Sequence, residues 1–323
     1  MHKKGLIGIV LTVLLFALTC YAEPENLGDD WESWVQNLRV EALAEGIRPQ
    51  VFDSAFEGVQ PSKRIQHFDR TQPEKRITYA QYRKSRIDSY RILIGRRAFQ
   101  KNRLLLKKIG SEYHVSPCII TALWGMESSY GRVKGNFPVI AALATLAYEG
   151  HRTRFFRQEL LLALKILNEG HVTLNNFKGE WAGASGQTQF LPSSFYKFAV
   201  DYDDDGKKDI WNSLDDALAS IANYLKQNGW HAGEPWALEA DLPDDFDQSL
   251  FGFENQRSVS EWLEMGVTVP QDLPDDLQAA IIMPEGGPAI MAFHNFKVIK
   301  TYNNSTFYAG SVGYLADSIC SGL

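Results

Sequence analysis

Apolar positions recur with a helical period along most of the chain. In residues 30–45, Trp31, Trp34, Leu38 and Ala42 fall three or four apart, and Gly46 stands where a helix would stop. Residues 77–108 read as one long, basic, amphipathic helix carrying Tyr79, Tyr82 and Tyr90. Ser116 and Pro117 supply an N-cap and a first-turn proline for a helix that reaches Glu127. Residues 155–169 are rich in Leu and stop at Gly170, and residues 216–228 repeat the form before Gly229. Past Trp236 the pattern changes. An acidic stretch at 241–247 leads to β-type runs at 280–283 and 289–293, and Pro284-Glu285-Gly286-Gly287-Pro288 between them reads as a hairpin turn. Residues 306–319 close the chain as a helix. The pattern predicts a mainly α (α+β) protein, one domain over 23–323 without internal repeats. Its small antiparallel β lobe begins near 236.

The first residues set the compartment. Lys3 and Lys4 precede an uncharged apolar run, and Cys20-Tyr21-Ala22 offers small residues where an exporting peptidase reads. Residues 1–22 are therefore expected to be a cleaved signal peptide, with a periplasmic mature protein beginning at Glu23 and having no transmembrane span. The alternatives are an uncleaved anchor and lipidation at Cys20 as an outer-membrane lipoprotein; Ala17-Leu18-Thr19 suits the second poorly. The chain holds 33 Lys and Arg against 39 Asp and Glu, and losing Lys3 and Lys4 makes it more acidic still. That balance argues against nucleic acid and anionic lipid as main partners. Cys118 and Cys320 are too few for a disulfide framework, and the sequence leaves their pairing open.

Candidate chemistry centres on one carboxyl. Ile120, Leu123, Trp124 and Glu127 fall at i, i+3, i+4 and i+7, so an apolar helix face finishes in an acid. Burial and the negative end of the helix dipole both raise the pKa of an acid there. Glycosidic cleavage needs such a carboxyl, because the leaving sugar oxygen must receive a proton. The bland alternative is an ordinary exposed Glu in a last turn. No second acid adjoins Glu127; Glu112 and Glu149 are the nearest in sequence. A hydrolase usually uses two carboxyls.

The segment WGMESSYGR at 124–132 resembles the catalytic segment of the family B membrane-bound lytic murein transglycosylases. LATLAYEGHR at 143–152, GEWAGASGQTQFLPSSF at 179–195, DYDDDGKKDIWNSLDDALASIANYL at 201–225 and YNNSTFYA at 302–309 follow in the family's order. The resemblance implies a lysozyme-like helical core and cleavage of the MurNAc–GlcNAc β-1,4 bond of peptidoglycan strands, leaving a 1,6-anhydro-MurNAc end. It implies Glu127 as the catalytic acid and then base, with Gln189, Tyr302, Asn303, Tyr308, Arg152 and Tyr82 holding the glycan. Glu180 stands where many relatives have Ser, and Ser185 where Met is usual, which puts one substrate contact in doubt. Competing readings are a muramidase acting on the same bond and a non-catalytic, calcium-dependent peptidoglycan-binding protein. Partners in cell-wall synthesis or division are left open.

Asp201, Asp203, Asp205, Gly206 and Asp209 occupy positions 1, 3, 5, 6 and 9 of an EF-hand loop. Asn212 replaces the usual Glu at position 12; by resemblance a later Asp completes the site, Asp216 before Asp215. The expected cofactor is a structural Ca²⁺ held by Asp201, Asp203, Asp205, the Lys207 carbonyl and Asp216. The alternative is a solvated acidic turn.

Overall fold

The computed structural model describes residues 30–71 and 77–321, so the leader expected at 1–22 lies outside the described residues. The helices in chain order are α1 (Trp31–Ala44), α2 (Pro49–Phe56), α3 (Lys63–Arg70), α4 (Tyr79–Arg86), α5 (Ser89–Lys101), α6 (Arg103–Tyr113) and α7 (Pro117–Ser128). They continue with α8 (Val139–Glu149), α9 (Thr153–Glu169), α10 (Pro192–Phe198), α11 (Leu214–Gln227), α12 (Val259–Glu264), α13 (His294–Tyr302) and α14 (Thr306–Cys320). Short strands β1 (Phe137–Pro138) and β2 (Lys178–Gly179) pair antiparallel. β3 (Ala237–Glu239), β4 (Arg257–Ser258), β5 (Gln278–Ile282) and β6 (Ile290–Ala292) form an antiparallel sheet in the order β3-β6-β5-β4.

The basic helix expected over 77–108 is three helices. Asp88 accepts a hydrogen bond from the Arg91 amide at 2.7 Å, capping a new helix after Ile87, whose backbone is extended. Asn102 turns its side-chain amide back onto the Ala98 carbonyl at 2.9 Å and ends α5. Asp and Asn compete with the backbone for hydrogen bonds, so each interrupts a helix whose apolar pattern runs on.

The apolar face expected on α7 is the whole helix. Ile119 to Gly125 are buried without a gap, because α14, α5, α6 and α11 surround it. A helix apolar all round belongs at the centre of a core, and its polar terminus is then the one place it can meet solvent. Cys118, in its first turn, forms a disulfide with Cys320 at the end of α14, with Cα atoms 6.2 Å apart.

The β lobe follows from a period of two. Ala280, Ile282, Ile290 and Ala292 join the helical core, whereas Ala279, Ile281, Met291 and Phe293 pack with Trp262 of α12 in a second, smaller core. Alternate side chains of a strand leave opposite faces, so one sheet serves both cores and seats the lobe on the helical body. The hairpin returns at Ile282↔Ile290, and the Glu285 carbonyl in its turn accepts the Tyr79 amide at 2.6 Å, pinning the turn to the start of α4. No helix among the described residues is long and apolar enough to cross a membrane.

Candidate active site

Glu127 sits in the last turn of α7, partly exposed at the end of an otherwise buried helix. Beyond it Ser129, Tyr130 and Gly131 all adopt left-handed backbone, with φ of 49°, 62° and 78°. Two non-glycine residues in that region need local support. The Tyr130 hydroxyl donates to the Arg91 carbonyl at 3.0 Å, and its ring meets Trp124 edge-on at 5.6 Å. That ring lies so close to Gly125 that a Cβ there would come within 2.6 Å of it, which is why glycine follows Trp124. Arg91 donates to the Gly125 carbonyl at 2.6 Å and to Ser129 Oγ at 3.4 Å, capping the helix end with a cation.

Tyr308 donates its phenolic proton to Glu127 Oε1 across 181 positions of sequence. Ser305 sets this up: its Oγ accepts the Tyr308 amide at 3.2 Å, so α14 begins with Tyr308 in its first turn. Desolvation raises the Glu127 pKa to about 7, against smaller lowering effects from the Tyr308 hydrogen bond and the Arg86 charge. Tyr308 and Tyr302 are themselves held well above the ordinary phenol value, by burial first and by the Glu127 charge second. Burial also raises Tyr82, and Glu127 adds to that rise. Three tyrosines and one arginine thus face a carboxyl that is half-protonated near neutral pH.

Of the residues expected to hold glycan, Tyr82, Tyr302 and Tyr308 gather around Glu127. Tyr302 donates to the Thr188 carbonyl at 2.6 Å and its ring lies 4.6 Å from Tyr224. Gln189 has a left-handed backbone, φ 52°, and its amide nitrogen donates to the carbonyls of Gly186 at 2.9 Å and Lys134 at 3.3 Å. Asn303 is exposed at the end of α13, where its carbonyl accepts the Ser305 amide at 2.7 Å. Arg152 is exposed before α9 with its guanidinium over Phe155 and Phe156, at 5.3 and 5.2 Å. Glu180 is exposed and is not among the groups that shift Glu127; Ser185 is buried and bridges Gly179 and Phe190. The expected neighbours of Glu127 in sequence are engaged elsewhere: Glu112 accepts from Tyr202 and Glu149 from Gln66. Sequence reasoning missed Arg86, Arg91 and Phe307, whose ring lies 5.9 Å from Tyr82. Nothing in the sequence separates those two arginines from the other cations of 77–108.

In the acidic loop, carboxylate oxygens of Asp201, Asp203 and Asp205 lie within 4.8 Å of one another. Gly206 makes the turn at φ +88° with open space around it. Ser213 Oγ donates to Asp203 Oδ2 at 2.8 Å, and the Asp205 and Gly206 amides donate to Asp201. Asp216 is fully buried behind this group, its two oxygens each 2.7 Å from a backbone amide, those of Tyr202 and Asp209. Three converging hard oxygen donors around a tight turn fit Ca²⁺, which tolerates an irregular oxygen cage. Lys207 donates its amide to Asp205 Oδ1, leaving its carbonyl as its only contribution to such a cage.

Glu127, its pKa raised to about 7 and with Tyr82, Tyr302 and Tyr308 around it, thus ends a buried helix within a helical body that bears a small β lobe. The chain belongs to the family described as the transglycosylase SLT domain, which matches residues 30–317. It is 34% identical to membrane-bound lytic murein transglycosylase B of Escherichia coli K12 over 223 residues, 66% of this chain and 60% of that protein. The match therefore spans less than two thirds of that relative's length. SltB3 of Pseudomonas aeruginosa, solved in complex with NAG-anhNAM-pentapeptide, superposes with a TM-score of 0.88 at 45% identity. That match covers 91% of this chain and 80% of SltB3. E. coli Slt35 in complex with calcium superposes with a TM-score of 0.78 at 28% identity, covering 89% and 92%. The fold is that of the lysozyme-like lytic transglycosylases.

Proposed function

We propose that this protein is a lytic transglycosylase that cuts the MurNAc–GlcNAc β-1,4 bond of peptidoglycan strands and leaves 1,6-anhydro-MurNAc ends. The observation that carries the reading is Glu127, whose pKa is raised to about 7 by desolvation while, among the described residues, the one charge bearing on it is the cation Arg86. A water-activating carboxylate beside it would add a raising charge of its own. Protonated Glu127 gives its proton to the glycosidic oxygen as the C1–O bond breaks. The muramyl C6 oxygen then bonds to C1 while Glu127 takes the C6 hydroxyl proton. The acid is regenerated and no water is consumed. Tyr308 holds the carboxyl through both steps, because a phenol that donates to the carboxylate still leaves one oxygen free for substrate. Gln189, Tyr302, Asn303, Tyr82 and Arg152 are the glycan-holding residues of this reading; acetylated sugars bind by aromatic stacking and by amide or hydroxyl hydrogen bonds.

Ca²⁺ in the loop of Asp201, Asp203 and Asp205 would be structural: it would tie the loop to the start of α11 and take no part in proton transfer. A cleaved leader at 1–22 and a periplasmic site of action agree with a wall substrate and with the disulfide, since disulfides persist in oxidising compartments. Purified sacculi digested with the protein and analysed by mass test the reading. Muropeptides lighter by one water, with no new reducing ends, are expected. Reducing ends alone would make the enzyme a muramidase.

A further inference from the structure

The last turn of α7 is gripped from α5. Arg91, in the first turn of α5, uses its side chain and its backbone on the same target. Its guanidinium donates to the Gly125 carbonyl at 2.6 Å and to Ser129 Oγ at 3.4 Å, while its own carbonyl accepts the Tyr130 hydroxyl at 3.0 Å. Gly125 and Ser129 lie two residues to either side of Glu127, so the grip brackets the acid. Glycines on both helices keep space for the phenol, since a Cβ on Gly95 of α5 or on Gly125 would run into Tyr130. Among the described residues no carboxylate pairs with Arg91, and its charge is directed at the negative end of the α7 dipole. It is not a charge that bears on the Glu127 carboxyl itself.

We infer that Arg91 is a positioning residue for the cleavage: by holding the backbone on both sides of Glu127 it fixes where that carboxyl meets the glycosidic oxygen, without touching substrate. The inference rests on the proposed glycan cleavage. Three observations favour it. First, Ser129 and Tyr130 sit in left-handed backbone, which side-chain-bearing residues adopt only where surrounding bonds hold them, and the bonds from α5 are those Arg91 makes. Second, Tyr308 holds the tip of the Glu127 side chain from α14, but a tip held above a loose base still swings. Arg91 holds the base. Third, proton transfer is sensitive to placement, and a 1 Å displacement costs on the order of a hundredfold in rate.

The same grip keeps the carboxyl dry. The groups facing it are Tyr82 and Arg86 from α4, Tyr302 from α13 and Tyr308 from α14, and a change at Arg91 leaves all four in place. A loosened last turn admits water, which weakens desolvation, the largest cause of the raised Glu127 pKa. Losing Arg91 should therefore move the Glu127 titration down, toward the ordinary 4.5, whereas losing the Tyr308 hydroxyl moves it up.

The test compares wild type, Arg91→Gln and Arg91→Lys on soluble NAG-NAM oligomers, and follows the Glu127 carboxyl by NMR titration with ¹³C-labelled Glu, its signal assigned by its loss in Glu127→Gln. Arg91→Gln should lower kcat about tenfold or more with KM within about twofold, and should shift the titration down from about 7. Arg91→Lys, which keeps a cation able to reach the Gly125 carbonyl, should recover most of both. Should Arg91→Gln not fold, Tyr130→Phe keeps the ring in its slot, removes the bond to the Arg91 carbonyl, and should move kcat and the titration in the same directions. A lower Tm with kcat and titration unchanged would overturn the inference, because Arg91 would then be only a strut. A raised KM at unchanged kcat would also overturn it, placing Arg91 against substrate. Wild-type products are analysed alongside: reducing ends would refute the transglycosylase reading, while the titration still reports whether Arg91 holds Glu127.

Discussion

Replacing Glu127 by Gln should remove activity and stabilise the protein, and the stabilisation should depend on pH. In the folded state desolvation raises this carboxyl from an ordinary 4.5 to about 7. The unfolded chain restores the ordinary value. Below about pH 4 both states hold the proton, and Glu127 costs the fold nothing. As pH rises from there through 7 the unfolded state ionises first, and the native state is progressively penalised. Above about pH 8 the penalty is complete, about 3 kcal/mol for a separation of that size. Gln is neutral at every pH, nearly isosteric, and its amide oxygen still accepts from Tyr308. The variant should therefore match wild type near pH 4 and exceed it by up to about 3 kcal/mol near pH 8, a gain in Tm of about 6 °C at roughly 2 °C per kcal/mol. Turnover on sacculi should fall at least ~10²-fold, because among the described residues no other carboxyl bears on Glu127 to donate the proton in its place. Thermal unfolding of both proteins across that pH range is the assay. An equal Tm difference at both ends, or a variant less stable near pH 8, would refute the claim that Glu127 is strained by desolvation.

Tyr308→Phe deletes the hydrogen bond that lowers the Glu127 pKa, so the alkaline limb of kcat/KM should move to higher pH even as the rate falls; a limb moving down would contradict the geometry. Ca²⁺ at about a hundred times its Kd should stabilise the fold by about 2.7 kcal/mol, chelator should reverse this, and Asp203→Ala with Asp205→Ala should abolish the response in a melting assay. Replacing Cys118 and Cys320 by Ala opens a loop of 202 residues and should lower unfolding free energy in denaturant by about 5 kcal/mol; a change below about 1 kcal/mol would mean the bond is not formed in solution.

Local signals made much of the body legible. Asp30, which caps α1 by accepting the Ser33 amide at 2.8 Å, Pro117 at the first turn of α7 and Gly170 after α9 stand where the sequence pattern expects helix ends. The break at Asp88 was written in the same vocabulary but was outvoted by the continuous apolar pattern around it. The complete burial of α7 was not legible, because Thr121 and Gly125 interrupt its apolar run and only the surrounding helices reveal that they too are covered. Helix α8 has almost no polar face, so it carries little of the periodicity that marks an amphipathic helix. Around the carboxyl, the position of Glu127 could be argued from spacing, but its meeting with Tyr308 could not. That contact closes 181 positions of chain, and the resemblance implied Tyr308 only as a residue that holds the glycan. Arg86 and Arg91 differ from their basic neighbours only in where α4 and α5 end and begin, which the sequence pattern had merged. The acidic loop shows the converse: Asp201, Asp203 and Asp205 converge as their alternation requires, whereas Asp216 spends its oxygens on two backbone amides.

The central claim is that one carboxyl suffices because the substrate supplies the nucleophile. A glycan whose muramyl residue lacks the C6 hydroxyl keeps the scissile bond and every other group that the cleft could bind. With no carboxylate among the described residues bearing on Glu127 to activate water, the account predicts that the 6-deoxy substrate binds and is not cut, while its C6-hydroxyl counterpart is converted to the anhydro product. Prompt cleavage of the 6-deoxy substrate to a reducing end would contradict the account, since water would then be the nucleophile.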